Sequence, residues 1–208
     1  MLLGFEITEK SARSCVVENI SEPTEEKYEV MLKKIFFINN EMIEVILNDF
    51  ENGDFKNSGE IDEMKKLQDK LILFCRRLVI ADKYDKHQVL SWELLTFLMH
   101  ISHSLSYFYS YAEKHKIKKD NGLIKMLKAL GEYFELYRAA FYQEDIRSVH
   151  RINTLKKKYQ FGQCLDMIER AHGKRAVAYC YLKDVFRLIQ IGTSPILSKV
   201  IGKEVNSN

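Results

Sequence analysis

Two histidines, His100 and His103, stand three residues apart in an apolar stretch, so on a helix they share one face. Imidazoles at that spacing ligate Zn²⁺ or iron when two further ligands converge from neighbouring elements. No His-Glu-x-x-His or Glu-x-x-His run lies beside them in the sequence, so metal binding at His100 and His103 competes with ordinary polar packing and is kept as an alternative. Ser102, Ser106 and Ser110 recur at four-residue intervals among Tyr107, Tyr109 and Tyr111. Small hydroxyl side chains let helices approach and bond back to the preceding turn; the other reading is a polar groove for a ligand or partner. Two basic runs, Lys114, Lys116, Lys118 and Lys119 beside His115, and Lys156, Lys157 and Lys158, face the same choice. So does the acidic group Asp49, Glu51 and Asp54. Solvated helix ends account for them, since positive charge suits a helix C-terminus; contact with an acidic partner or a membrane surface is the rival reading for the basic runs.

Catalytic patterns are missing from the sequence. It contains no Gly-x-Ser-x-Gly elbow, no glycine-rich phosphate loop and no G-x-G-x-x-G after a strand. The expectation is a protein that is not an enzyme and carries no cofactor.

The elements that must hold these residues follow from composition. The chain has 208 residues with only 2 prolines and 9 glycines, too few turn-formers for a many-stranded sandwich or barrel. With 46% hydrophobic and 29% charged residues it reads as a globular helical protein. A net charge of +3 lacks the excess of a dedicated nucleic-acid binder. The four cysteines, Cys15, Cys75, Cys164 and Cys180, form no C-x-x-C pair and read as small core residues of a protein in the reducing cytoplasm. No signal-peptide pattern opens the chain, and no run of about 18 apolar residues suggests a membrane span.

Residues 1–21 alternate as a β-hairpin, with Phe5 and Ile7 on one side of the polar break Lys10 to Arg13 and Ser14 to Ile20 beyond it. From Ser21 the period becomes helical. Ser21 and Pro23 suit a helix start, and Tyr28, Met31, Leu32, Ile35, Phe36, Met42, Ile46 and Phe50 carry one apolar face to a stop at Gly53. A second helix begins near Ser58, and a third runs from about Asp85 to Lys116 after the polar break Asp82 to Lys86. Lys118 to Gly122 forms the clearest joint. A fourth helix passes through Leu123 to Phe141, a fifth from Ile146 towards Gly173, and a sixth from Lys174 to Gln190, ended by Gly192 and Ser194-Pro195. The expected fold class is all-α: two consecutive three-helix bundles, 22–119 and 120–192, preceded by a short β-hairpin and followed by a mobile polar tail, 193–208.

Two three-helix units around a polar joint resemble the PhoU family of phosphate-uptake regulators. Tyr28 to Phe36 looks like the start of the family's first helix. Leu67-Gln68-Asp69-Lys70-Leu71 with Phe74 to Leu78 resembles the second in archaeal PhoU-like proteins, and Trp92-Glu93-Leu94 through His103 to Tyr111 the third. The resemblance spans about Glu22 to Gly192. In several archaeal relatives a swapped-hairpin domain of the AbrB type precedes the helices, and Leu3 to Ile20 is similar to its second half without the first, which argues against DNA as a partner.

The resemblance implies a regulator of phosphate uptake and phosphate signalling that docks on a phosphate transporter or a sensor kinase. It places the chain in the cytoplasm, at the membrane only through a partner, with a homodimer as a further expectation. PhoU proteins commonly carry Glu-x-x-x-Asp pairs that hold a hard cation. Here Asp69 matches the Asp, but Lys65 replaces the Glu, and Met99 and His103 occupy the corresponding positions of the third helix. A lysine repels cations and a thioether is too soft for Mg²⁺, so the family's divalent site is expected to be lost, leaving Asp69, His100 and His103 as the metal candidates. A dimeric transcriptional regulator acting through the hairpin is the remaining alternative.

Overall fold

The computed structural model describes residues 5–10, 14–19, 25–81 and 88–206, with side chains over 14, 26–81 and 88–202. Strands Phe5–Lys10 (β1) and Cys15–Asn19 (β2) pair antiparallel, with a register shift between Ile7 and Glu9. The expected start signals Ser21 and Pro23, and the break Asp82 to Lys86, lie outside the described residues.

The rest is helical: α1 Glu25–Asn52, α2 Ser58–Ala81, α3 Gln88–Lys114, α4 Asn121–Gln143, α5 Ile146–Lys158, α6 Cys164–Arg170, α7 Lys174–Ile191 and α8 Ser194–Asn206. Helix α1 stops where expected, because Gly53 adopts a left-handed φ of 72° and its N–H returns to the Asp49 carbonyl at 2.8 Å. A π-helical turn, Tyr159–Gln163, joins α5 to α6, so the expected fifth helix is one rod with an extra residue inserted.

Helices α1 and α2 run antiparallel and α3 runs parallel to α1, with Asn39 Nδ2 at 3.5 Å from the Leu98 carbonyl and Tyr109 Oη reaching Asp49. The second triplet packs on the first along two seams, α1 on α4 and α3 on α7. Phe36 of α1 lies within 6.1 Å, between ring centroids, of Phe134, Tyr137, Phe141 and Tyr142 of the α4 region. One hydrophobic core therefore runs through both triplets, from Ile35 and Leu98 to Leu130, Leu182 and Phe186, each without measurable exposure.

Three expectations are corrected. Residues 194–206, read as a mobile tail, form α8, which lies against α3 and buries Ile196 at 3% exposure. Ser194-Pro195 ends α7, but it also opens α8, because proline fits a first helical turn. Asp49, read as part of a solvated acidic end, is 3% exposed, since residues 53–57 fold back over it. Its carboxylate accepts from Tyr109 Oη (2.5 Å) and Asn57 Nδ2 (2.8 Å). Cys75 and Cys164 are buried as expected, and burial pushes each thiol up to about 12, but Cys180 is exposed. The side chain of Cys15 lies outside the described residues.

Candidate functional site

Helices α2 and α3 bring two of the three metal candidates together. His103 Nε2–H donates to Asp69 Oδ1 at 2.8 Å, and Lys65 Nζ, one turn back on α2, lies 3.6 Å from Asp69 Oδ2. All three are partly buried, with side chains 22 to 33% exposed. Both oxygens of the carboxylate thus face a donor, and an incoming cation would have to displace the imidazole and overcome the ammonium. His100 does not join them. Its side chain is exposed and makes no hydrogen bond or ion pair among the described residues. No group of three or more His, Cys, Asp or Glu side chains converges among the described residues. The arrangement is a cation–carboxylate–imidazole chain, an ion pair on α2 followed by a hydrogen bond that ties α2 to α3.

Below it lies a polar layer in the core. Gln68 Nε2 donates to the Leu98 carbonyl at 2.8 Å, the same carbonyl that Asn39 approaches, and Ser102 Oγ donates to Met99 O at 2.9 Å. Gln68, Asn39 and Ser102 are fully buried. Ser106 is also buried but Ser110 is exposed, so the serine stripe is packing over its first two members and not a continuous polar groove.

A large concave feature lies elsewhere among the described residues. An open groove of about 890 Å³ runs between α1 and α5 with α4 as its floor. Ile43 and Leu47 of α1, Leu127 and Leu136 of α4 and Leu155 of α5 supply apolar surface, and Glu44, Glu132, Lys128, Arg151 and Lys158 line it with charge. Gly131 keeps the floor low at mid-length, where an added Cβ would lie 3.8 Å from Ile43 Cγ2. One end is built by the π turn: Tyr159 stacks on Phe186 at 5.1 Å and meets Tyr133 edge-on at 5.9 Å, and Lys158 lies over its ring. Such single π turns recur at functional sites. Of these residues only Lys158 stood out in the sequence, as a member of its basic run. The available signal was a glycine inside an otherwise strong helix, which costs stability unless something needs the space.

Lys118 to Gly122, the expected joint, is anchored. Asp120 caps α4 by accepting from the N–H groups of Gly122 (2.8 Å) and Leu123 (3.1 Å), and it also accepts from Tyr179 Oη (2.8 Å) and pairs with Arg175. Lys119 Nζ donates to Glu51 O at 2.6 Å and Lys174 Nζ to His115 O at 2.6 Å, so part of the first basic run is structural.

Among the described residues no helix is long and apolar enough to cross a membrane. No protein-family model matches the chain, and neither a search of curated proteins nor one of solved structures found a similar one.

Proposed function

We propose that this chain is a non-enzymatic, PhoU-like regulator of phosphate uptake and signalling that works by docking on a phosphate transporter or sensor kinase. The observation that carries the docking half is the groove across α4. It is open, with apolar residues from three helices and charge of both signs among them, a surface that an amphipathic helix of a partner can fill. An open groove flanked by α1 and α5, lined by side chains of three helices, offers a partner helix a face to pack against. The phosphate half is supported by the resemblance of α1 to α3 to PhoU helices and by the ordering of the rods as two consecutive triplets. Exchange between docked and free forms would bias transport or signalling.

The deciding experiment is affinity capture from cells grown in high and low phosphate, comparing the native chain with Gly131→Phe, which sets a ring in the groove beside Ile43 and is first checked by circular dichroism for an intact fold. The reading expects a transporter subunit or sensor kinase to be recovered by the native chain and lost with the variant. Recovery of no transport or signalling component, or capture indifferent to the variant, counts against it.

A further inference from the structure

Helix α5 carries five bases, Arg147, Arg151 and Lys156 to Lys158, and no acid. The whole chain nets only +3, so the residues outside α5 net −2. Within α5 the helical period sorts the charges. Arg147, His150, Arg151, Thr154, Lys157 and Lys158 follow one another by three or four residues along one outward face, and all six are exposed. Val149 and Ile152 hold the opposite side in the core, and Lys156 lies half-buried on that inner side, so the run of three lysines is split. Phe161 continues the outward line through the π turn. It is 60% exposed, whereas Tyr159 and Gln160 before it are buried. From Arg147 to Phe161 the line is about 20 Å long.

The fold leaves most of this charge uncompensated. Arg151 and Lys157 make no ion pair among the described residues. Arg147 reaches only Asp145, at 3.4 Å, with its own side chain 94% exposed, and Lys158 lies over the Tyr159 ring. Acids on neighbouring elements are engaged: Asp145 caps α5, and Asp184 of α7 pairs with Arg187. Of the acids lining the groove beside Arg151 and Lys158, Glu135 pairs with Arg138 and Glu44 accepts from Asn40, which leaves Glu132 alone without a partner among the described residues. A helix with one basic outward face and an exposed aromatic ring at its end is complementary to an anionic surface. A planar surface touches the line and nothing else, whereas a nucleic acid that reached further would meet the net negative remainder of the chain. At a bilayer the exposed Phe161 ring also has a place, between the headgroups.

We propose that the outward face of α5, from Arg147 to Phe161, lies on an anionic lipid surface. Arg147, Arg151, Lys157 and Lys158 sit among the headgroup phosphates, and the Phe161 ring enters the boundary between headgroups and acyl chains. Each base close to such a surface strengthens partitioning about fivefold, so four bases and one phenylalanine give a reversible, salt-sensitive attachment rather than a permanent anchor. Arg151 and Lys158 also line the groove across α4, so attachment sets the mouth of that groove beside the bilayer. The inference itself does not depend on what the groove binds.

The test is co-sedimentation of the full chain with unilamellar vesicles of phosphatidylcholine alone and of phosphatidylcholine with about one-third phosphatidylglycerol, at about 0.1 M salt. The native chain is expected to partition at least about a hundredfold more strongly onto the anionic vesicles. Arg147→Gln combined with Lys157→Gln should weaken that binding about 25-fold, and Phe161→Ser about tenfold. Lys156→Gln removes the same charge from the inner side of the helix and should weaken it about twofold at most. A native chain that binds neither vesicle or both alike, a double variant or Phe161→Ser that binds as the native chain does, or Lys156→Gln as damaging as Lys157→Gln alone would each overturn the proposal. So would tighter binding to random-sequence duplex DNA than to the anionic vesicles at equal concentrations of negative charge. Arg147, Lys157 and Phe161 are exposed and none lines the groove across α4, so circular dichroism should show intact folds, and capture of a docking partner remains a separate measurement.

Discussion

Replacing Asp120 by alanine should destabilise the protein by about 2–4 kcal/mol. The cap is the first part: two N–H groups at the start of α4 lose their acceptor, worth about 1 kcal/mol. The larger part is Tyr179, only 2% exposed, whose hydroxyl would be left buried without its acceptor at a cost of about 1–3 kcal/mol. Arg175 adds little, because its side chain is 58% exposed and the pair is screened. For a chain of this size the loss corresponds to a fall in Tm of about 5–15 °C, measured by thermal circular dichroism. Asp120→Asn keeps an acceptor for the cap and should cost about half as much. Tyr179→Phe in the alanine background should recover part of the loss, since it removes the stranded hydroxyl.

The same residue sets a pH dependence. Burial pushes the Asp120 carboxyl up, but the Tyr179 hydroxyl, the Leu123 N–H, the Arg175 guanidinium and the Gly122 N–H together outweigh it and hold the carboxyl below the ordinary carboxylate range. The folded state therefore binds this proton less readily than the unfolded chain. The stability it contributes is fully present above about pH 4, the unfolded value, and is lost as pH falls through the lower folded value. The difference between native and Asp120→Asn should be constant from neutral pH down to about pH 5 and shrink below it. A difference that stays flat to about pH 3, or an alanine variant that loses less than about 1 kcal/mol, refutes the account.

Other outcomes follow from single sites. Lys65→Glu sets a second carboxylate one turn from Asp69 beside His103, and titration calorimetry should show Mn²⁺ or Zn²⁺ binding at least about tenfold tighter than in the native chain; unchanged affinity would mean that Lys65 is not what keeps cations out. Gly131→Ala should stabilise by about 0.5–1 kcal/mol, because helix propensity is gained and the new Cβ meets Ile43 at an ordinary 3.8 Å; a lowered Tm would mean the groove floor is tighter than drawn. In the native state Cys180 should react with a thiol reagent in a Cys15→Ser background while Cys75 and Cys164 stay protected until the chain unfolds.

Helix positions were largely legible because burial follows the 3.6-residue period. Leu32, Ile35, Phe36, Met42, Ile46 and Phe50 form one stripe in the sequence and one buried face in the fold. What was not legible depends on contacts between remote segments. Asp49 looks like any acid near a helix end until Tyr109, sixty residues later, donates to it. The π turn left only a slip in period, since Tyr159 and Cys164 are both buried although five residues apart, and the N–H of Cys164 returns to the carbonyl of Tyr159. Asp69 and His103 were singled out one by one, but their hydrogen bond requires α2 and α3 to be antiparallel at the right height. Beyond the mid-helix Gly131 the groove left no mark in the sequence, because it draws α1 from one triplet and α4 and α5 from the other.

That same mixing bears on the boundary placed at residues 119 and 120. Two independent bundles would each close a core of their own, whereas here the inner faces of α1 and α3 are closed by α4 and α7. Phe36 is 1% exposed only because Phe134, Tyr137 and Phe141 cover it, and α3 is covered along Tyr111 by Tyr181. Cutting the chain at that point would expose such aromatic surface on both pieces. Each buried aromatic side chain is worth about 1.5–3 kcal/mol, and a handful of them matches the whole stability of about 5–15 kcal/mol of an ordinary domain. Neither fragment 1–119 nor fragment 120–208 should therefore give a cooperative thermal transition alone, and the intact chain should melt in one step with equal calorimetric and van't Hoff enthalpies. Two resolved transitions in the intact chain, or a fragment that melts sharply by itself, would show that each triplet closes its own core.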